Sequence, residues 1–106
     1  MTIKELQEKS HKTAVEKGFW GKKKTEMLCT EPPRNKGELI ALMHSELSEC
    51  LEALRKEDKD NEAEELADLM IRIGDYAEAF RIDLTSAIES KMKRNKKRPY
   101  KHGKKF

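Results

Sequence analysis

The sequence predicts an all-α fold, a bundle of about four helices completed by oligomerisation. Apolar residues recur at three- and four-residue spacing in successive stretches, capping-type residues stand at their starts, and no stretch alternates as a strand would. The chain has 106 residues, of which 41% are charged and 36% hydrophobic. That length suits one domain, and that composition gives a thin core. Packing against further copies, as a homodimer or homotetramer, is one way to thicken it.

The elements follow in order. Thr2 with Glu5 three residues on reads as a capping box opening a first helix. Ile3, Leu6, Ala14 and Val15 give it an apolar stripe, and Gly18 is its expected stop. Gly21 to Lys36 reads as a loop, since Pro32-Pro33 forbids continuous helix. Asn35 with Glu38 opens a second helix, striped by Leu39, Leu42, Met43, Leu47, Cys50, Leu51 and Leu54, which runs to about Lys56. A polar connection, Glu57 to Asp60, precedes a third helix capped by Asn61, with Leu66, Leu69, Met70, Ile73, Ala77 and Phe80 on its apolar face. Gly74 within it costs helix stability and permits close packing. Asp83 caps a fourth helix striped by Leu84, Ala87, Ile88 and Met92, which fades near Asn95 ahead of Pro99. The domain therefore divides into an N-terminal helix and loop (1–34), core helices (35–98) and a basic tail (99–106).

Charge is unevenly spread. Residues 1–90 hold 14 Lys/Arg and 20 Asp/Glu, a net −6, whereas residues 91–106 hold 9 Lys/Arg and no acid, a net +9. An acidic body with a basic end suits a ligand carrying both metal and phosphate; a nucleic-acid-binding tail would show the same asymmetry. Cys29 and Cys50 have no metal-type spacing and read as free thiols. The N-terminus has no apolar segment of the secretory type, and no apolar run approaches a membrane span, so a cytoplasmic protein is expected.

The second and third helices carry the chemistry. Glu46 and Glu49 are three residues apart, as are Glu65 and Asp68, so each pair shares a helix face. The connection is short, which makes the helices antiparallel neighbours. With the turn centred near Asp58, Glu49 lies nine residues before it and Glu65 and Asp68 seven and ten after, at similar heights. One such pair in an acidic chain is a solvated face. Two pairs at matching height beside apolar stripes point to a cation, because four like charges repel. Oxygen-only donors select a hard ion, Mg²⁺ first, with Mn²⁺ able to substitute. Asp75 shares roughly that face, as a supporting group or a partner for a neighbouring helix.

Lys91 and Asn95, four apart, and Arg98 offer donors suited to phosphate or ribose. On spacing alone they read as a solvated basic helix end. His11 is expected on the surface, His44 as a packed or interface residue, His102 in the tail without a role, and Met92 in the core. Trp20 could stack on a base, but reads rather as an anchor for the loop.

Taken in order, Glu46-Leu-Ser-Glu49, Glu65-Leu-Ala-Asp68, Lys91-x-x-x-Asn95-x-x-Arg98-Pro99 and the closing His102-Gly103-Lys104-Lys105 resemble the MazG-like nucleotide pyrophosphohydrolases, from about Asn35 to the C-terminus. The resemblance implies an all-α NTP pyrophosphatase fold that pairs with further copies. It implies catalysis by Glu46, Glu49, Glu65 and Asp68 as Mg²⁺ ligands, and nucleotide or phosphate contacts from Lys91, Asn95 and Arg98. The implied reaction cleaves a nucleoside triphosphate to monophosphate and pyrophosphate. The alternative is a non-enzymatic nucleic-acid-binding module using the basic segment. It explains the charge asymmetry but not the paired acids, so nucleic acid is not the expected partner. A helical protein that merely dimerises explains neither charged cluster.

Overall fold

A computed structural model describes residues 1–21 and 34–100. The expected loop with Lys22-Lys23-Lys24, Cys29 and Pro32-Pro33, and the tail from Lys101 with His102, lie outside the described residues. Within them the chain forms four helices and no strand: α1 (Ile3–Glu16), α2 (Lys36–Arg55), α3 (Lys59–Ala79) and α4 (Leu84–Lys97). The all-α expectation holds.

Capping chemistry sets the boundaries. Both halves of the Thr2/Glu5 capping box form. Asn35 accepts from the Glu38 amide and Asp83 from the Ser86 amide. The third start differs from the sequence reading. Asp58, not Asn61, is the cap, because its carboxylate accepts the Asn61 amide and starts α3 at Lys59. The ends of α1, α2 and α3 share one device, in which the residue beyond the cap turns left-handed and the next amide reaches back to the final turn. Gly18 does this after α1 at φ 85°, with Phe19 N–H donating to Ala14. Glu57 and Arg81 do it after α2 and α3 at φ 55° and 57°, where the side chain makes the conformation uncommon. α4 runs to Lys97, slightly past the expected fade at Asn95, and ends before Pro99.

α3 is the central element, packing against α1 on one side and α2 on the other, while α4 leans on α1. The close α1–α3 approach occurs at Gly74. A Cβ there would lie 3.2 Å from Leu6 Cγ, the Leu6 carbonyl oxygen and Ser10 Oγ. The core around Ala14, Trp20 and Leu39 is finished by Val15, Tyr76, Ala79 and Phe80. Trp20 is thus an anchor, wedged edge-on between His11 and Phe80.

Small residues, Cys50, Ala53 and Ala77, pack much of the remaining interior, and among the described residues no large side chain is fully buried. Several expected core residues are not core in the single chain. Leu47, Leu51 and Leu54 of α2 and Leu66 and Met70 of α3 are each about half exposed, and Met92 is 65% exposed. Among the described residues α4 contributes none that is buried, its main packing being against α1. His11 departs the other way. It is partly buried because its Nδ1 lies 2.8 Å from Asp75 Oδ1. His44 is exposed.

Gly74→Ala tests the α1–α3 approach. Helix propensity favours alanine by about 0.5–1 kcal/mol, while overpacking costs about 1–3 kcal/mol. Displacing the Leu6 backbone should decide the sign, and urea unfolding should show a net loss near 1 kcal/mol. A variant more stable than the parent would place the helices further apart than described.

Candidate metal centre

The α2–α3 hairpin gathers its acids as their spacing requires. Glu46, Glu49 and Glu65 each offer a carboxylate oxygen, and these lie within 4.8 Å of one another. Glu46 is buried, Glu65 half-buried and Glu49 exposed. Asp68, one turn beyond Glu65, stands outside this trio but lines the same cavity as Glu46.

Two oxygens in the cluster, Glu46 Oε2 and Glu65 Oε2, are buried without a hydrogen-bond partner. Buried acceptors are ordinarily satisfied, so their shared orphan state fits a missing hard cation. The other Glu46 oxygen, Oε1, accepts from Arg72 Nε at 2.8 Å. Burial pushes the Glu46 carboxyl up, but the Arg72 guanidinium bound to it holds it below the usual carboxylate value. Glu65 moves the opposite way, to about 7, because the Glu49 and Glu46 carboxylates beside it favour a proton on it, and burial adds to this.

Beside the trio a cavity of about 700 Å³ opens between α1, α2 and α3. That volume lies in the range of small-ligand sites. Lys9, Lys17, Arg34 and Arg72 share its wall with Glu46 and Asp68. Anion-binding and cation-binding groups thus line one space. Phe19, 61% exposed, stands at its edge. Asp75 also reaches the wall, and its Oδ1 accepts from Trp20 Nε1 at 2.9 Å as well as meeting His11. It clasps α1 and the following turn to α3, the second of the two roles its position allowed.

Family comparison follows this geometry. The sequence model of the MazG nucleotide pyrophosphohydrolase domain matches residues 34–102. The chain belongs to this family. Comparison with curated proteins and with solved structures yields no match. MazG domains are typically metal-dependent, in keeping with the acidic cluster. The matched span starts after α1, so Lys9 and Lys17 on the cavity wall lie outside it.

The α4 end of this MazG domain stands apart from that cavity. Lys91, Asn95 and Arg98 are exposed on or just after α4, and no α4 residue lines the cavity that holds Glu46 and Asp68. The cations that do line it went unnoticed in the sequence. Lys9, Lys17, Arg34 and Arg72 share no motif, and only the packing of α1 and α2 on α3 brings them together.

The Glu65 proton has a consequence for stability. Its folded value of about 7 lies above the ordinary 4.5. Below 4.5 both states hold the proton; between 4.5 and 7 only the folded state does, so stability falls as pH rises through that window. In chelator, Tm should drop from pH 5 to pH 8. Glu65→Gln, which mimics the protonated form, should match the parent at pH 5 and exceed it at pH 8. Parallel Tm profiles for the two proteins would show that no such proton is held.

Proposed function

We propose that this MazG domain hydrolyses a nucleoside triphosphate to the monophosphate and pyrophosphate, with Mg²⁺ as cofactor and Mn²⁺ as a working substitute. The observation that carries the reading is the trio of carboxylates within 4.8 Å, two of whose buried oxygens have no partner, beside a cavity also lined by cations. Glu46, Glu49, Glu65 and Asp68 would hold the metal. A bound metal ion supplies charge neutralisation at the phosphates and a lowered pKa for bound water.

The chain's own groups do the remaining work. Glu46 and Glu65 present oxygens from the hairpin interior, while Glu49 is the clustered carboxylate that meets solvent. A carboxylate there can orient the attacking water or accept its proton. Lys9, Lys17 and Arg34, which line the same cavity, are suited to the phosphate tail. Attack at the α-phosphorus expels pyrophosphate, and the water's proton leaves through a carboxylate.

Assembly belongs to the same reading. Leu47, Leu51, Leu54, Leu66 and Met70 leave α2 and α3 with a half-exposed apolar surface. Contiguous apolar surface of this kind marks association sites. A homodimer or homotetramer would cover it, and could bring Lys91, Asn95 and Arg98 of one copy to the nucleotide of another. Among the described residues no helix is long and apolar enough to cross a membrane. Free thiols suit a reducing cytoplasm.

Pyrophosphate release across a nucleotide panel tests the activity. Turnover should need Mg²⁺ and vanish in excess chelator. Glu49→Gln and Asp68→Asn should abolish it with the helical fold intact, whereas Glu57→Gln, in the α2–α3 turn, should not. Full turnover in chelator would remove the metal from the reaction.

The basic segment separates enzyme from nucleic-acid binder. Lys91→Ala and Arg98→Ala should each lower kcat/KM about ten- to a hundredfold, the loss of one charge-assisted contact worth about 1.5–3 kcal/mol. Lys104→Ala and Lys105→Ala should cost little. Normal hydrolysis in all four variants, with equal loss of salt-sensitive nucleic-acid binding, would assign the segment to that partner. Light scattering should find an oligomer; a fully active 12.3 kDa monomer at micromolar concentration would exclude assembly as a requirement.

A further inference from the structure

Arg72 is the cation in direct contact with the acidic trio. Its Nε donates to Glu46 Oε1 at 2.8 Å, across the α2–α3 interface and 26 residues away in sequence. The Glu46 side chain is 10% exposed and that of Arg72 38%. The two Glu46 oxygens are therefore unlike. Oε1 is engaged by the guanidinium, whereas Oε2 is buried and unpartnered, and Glu46 is one of the trio that offers carboxylate oxygens within 4.8 Å of one another.

The division has a structural cause. Arg72 lies seven residues after Glu65 and four after Asp68, so all three share one face of α3. The stem crosses towards α2 at the height of Glu46, one turn before the Asp75 clasp that fixes α1. A carboxylate at the end of a glutamate has a freely turning terminal torsion. A planar N–H donor on one oxygen removes that freedom and sets the direction of the other.

We propose that Arg72 is a positioning residue that holds Glu46 by Oε1 so that Oε2 faces the cation bound by the trio. This rests on the metal reading proposed above. Outer partners that orient metal-ligating carboxylates contribute substantially to affinity, and their removal typically weakens binding about ten- to a hundredfold. Arg72 acts here through Glu46 rather than on substrate, although it also borders the cavity.

The test is Mn²⁺ binding to the full chain without nucleotide, followed by the electron paramagnetic resonance signal of the free ion. Arg72→Ala should weaken binding about tenfold or more. Arg72→Lys keeps the charge but lacks the guanidinium plane, so it should recover part of that loss. In a Glu46→Ala background, Arg72→Ala should have no further effect, since the oxygen it positions is gone. Circular dichroism distinguishes a misfolded variant, and Arg72→Lys carries the comparison should Arg72→Ala not fold. Unchanged Mn²⁺ affinity in folded Arg72 variants overturns the proposal, as does an undiminished loss in the Glu46→Ala background. A raised nucleotide KM with normal Mn²⁺ affinity would make Arg72 a phosphate contact and equally overturn it. Failure of the parent chain to bind Mn²⁺ would instead remove the metal reading itself, and this proposal with it.

Discussion

Three carboxylates within 4.8 Å of one another repel, and the α2–α3 hairpin must contain that repulsion before it can do anything else. It does so with two unlike devices. Arg72 neutralises Glu46 from the α3 side, and the Glu49 and Glu46 carboxylates push Glu65 up to about 7, so that a proton on Glu65 relieves the repulsion. The first is fixed by packing, and the second can be given up. A cation entering the cluster would displace the proton and leave the arginine in place. The same geometry can therefore exist with one proton or with a metal, and pH decides how strongly the two compete.

Containment of the acids depends on α3 being held from both sides. On one side α2 packs through small residues, Cys50 and Ala53, which let the helices approach while keeping the acids on a common edge. On the other side α1 sits against Gly74, and Asp75 draws in His11 and Trp20. Those contacts carry Lys9 and Lys17 to the cavity wall. Gly74 and Asp75, nine and ten residues beyond Glu65 on α3, thus bring these cations to the cavity that Glu46 and Asp68 line.

Holding the cavity this way leaves the bundle thin. Ala77 and Ala53 are each at 1% exposure, whereas many larger apolar side chains of α2 and α3 lie half exposed. Leu47 and Leu66 directly follow Glu46 and Glu65 in sequence, so the half-exposed apolar surface borders the acidic cluster. Covering those leucines would further desolvate the carboxylates and raise the cost of their charge. A bound cation lowers that cost. Under the proposed assembly, metal and association would therefore reinforce one another across a single helix pair.

The parts of this molecule that could be read in the sequence are those governed by short-range rules. Thr2, Asn35 and Asp83 announce three helix starts because a cap needs only its own side chain and an amide three residues on. Asn61 misled because Asp58 stands just before it and reaches the Asn61 amide first. Glu46, Glu49 and Glu65 were legible because one short turn fixes the register between two helices. Asp68 shared that pattern, yet one turn of α3 carries it past the trio to the cavity wall. Arg72 and His11 were not legible as partners, since pairs 26 and 64 residues apart depend on how whole helices cross. Helical period located the apolar stripes but not their burial. An apolar face looks the same in sequence whether its cover comes from this chain or from another, and Leu51 and Met70 are about half exposed for that reason on the assembly reading.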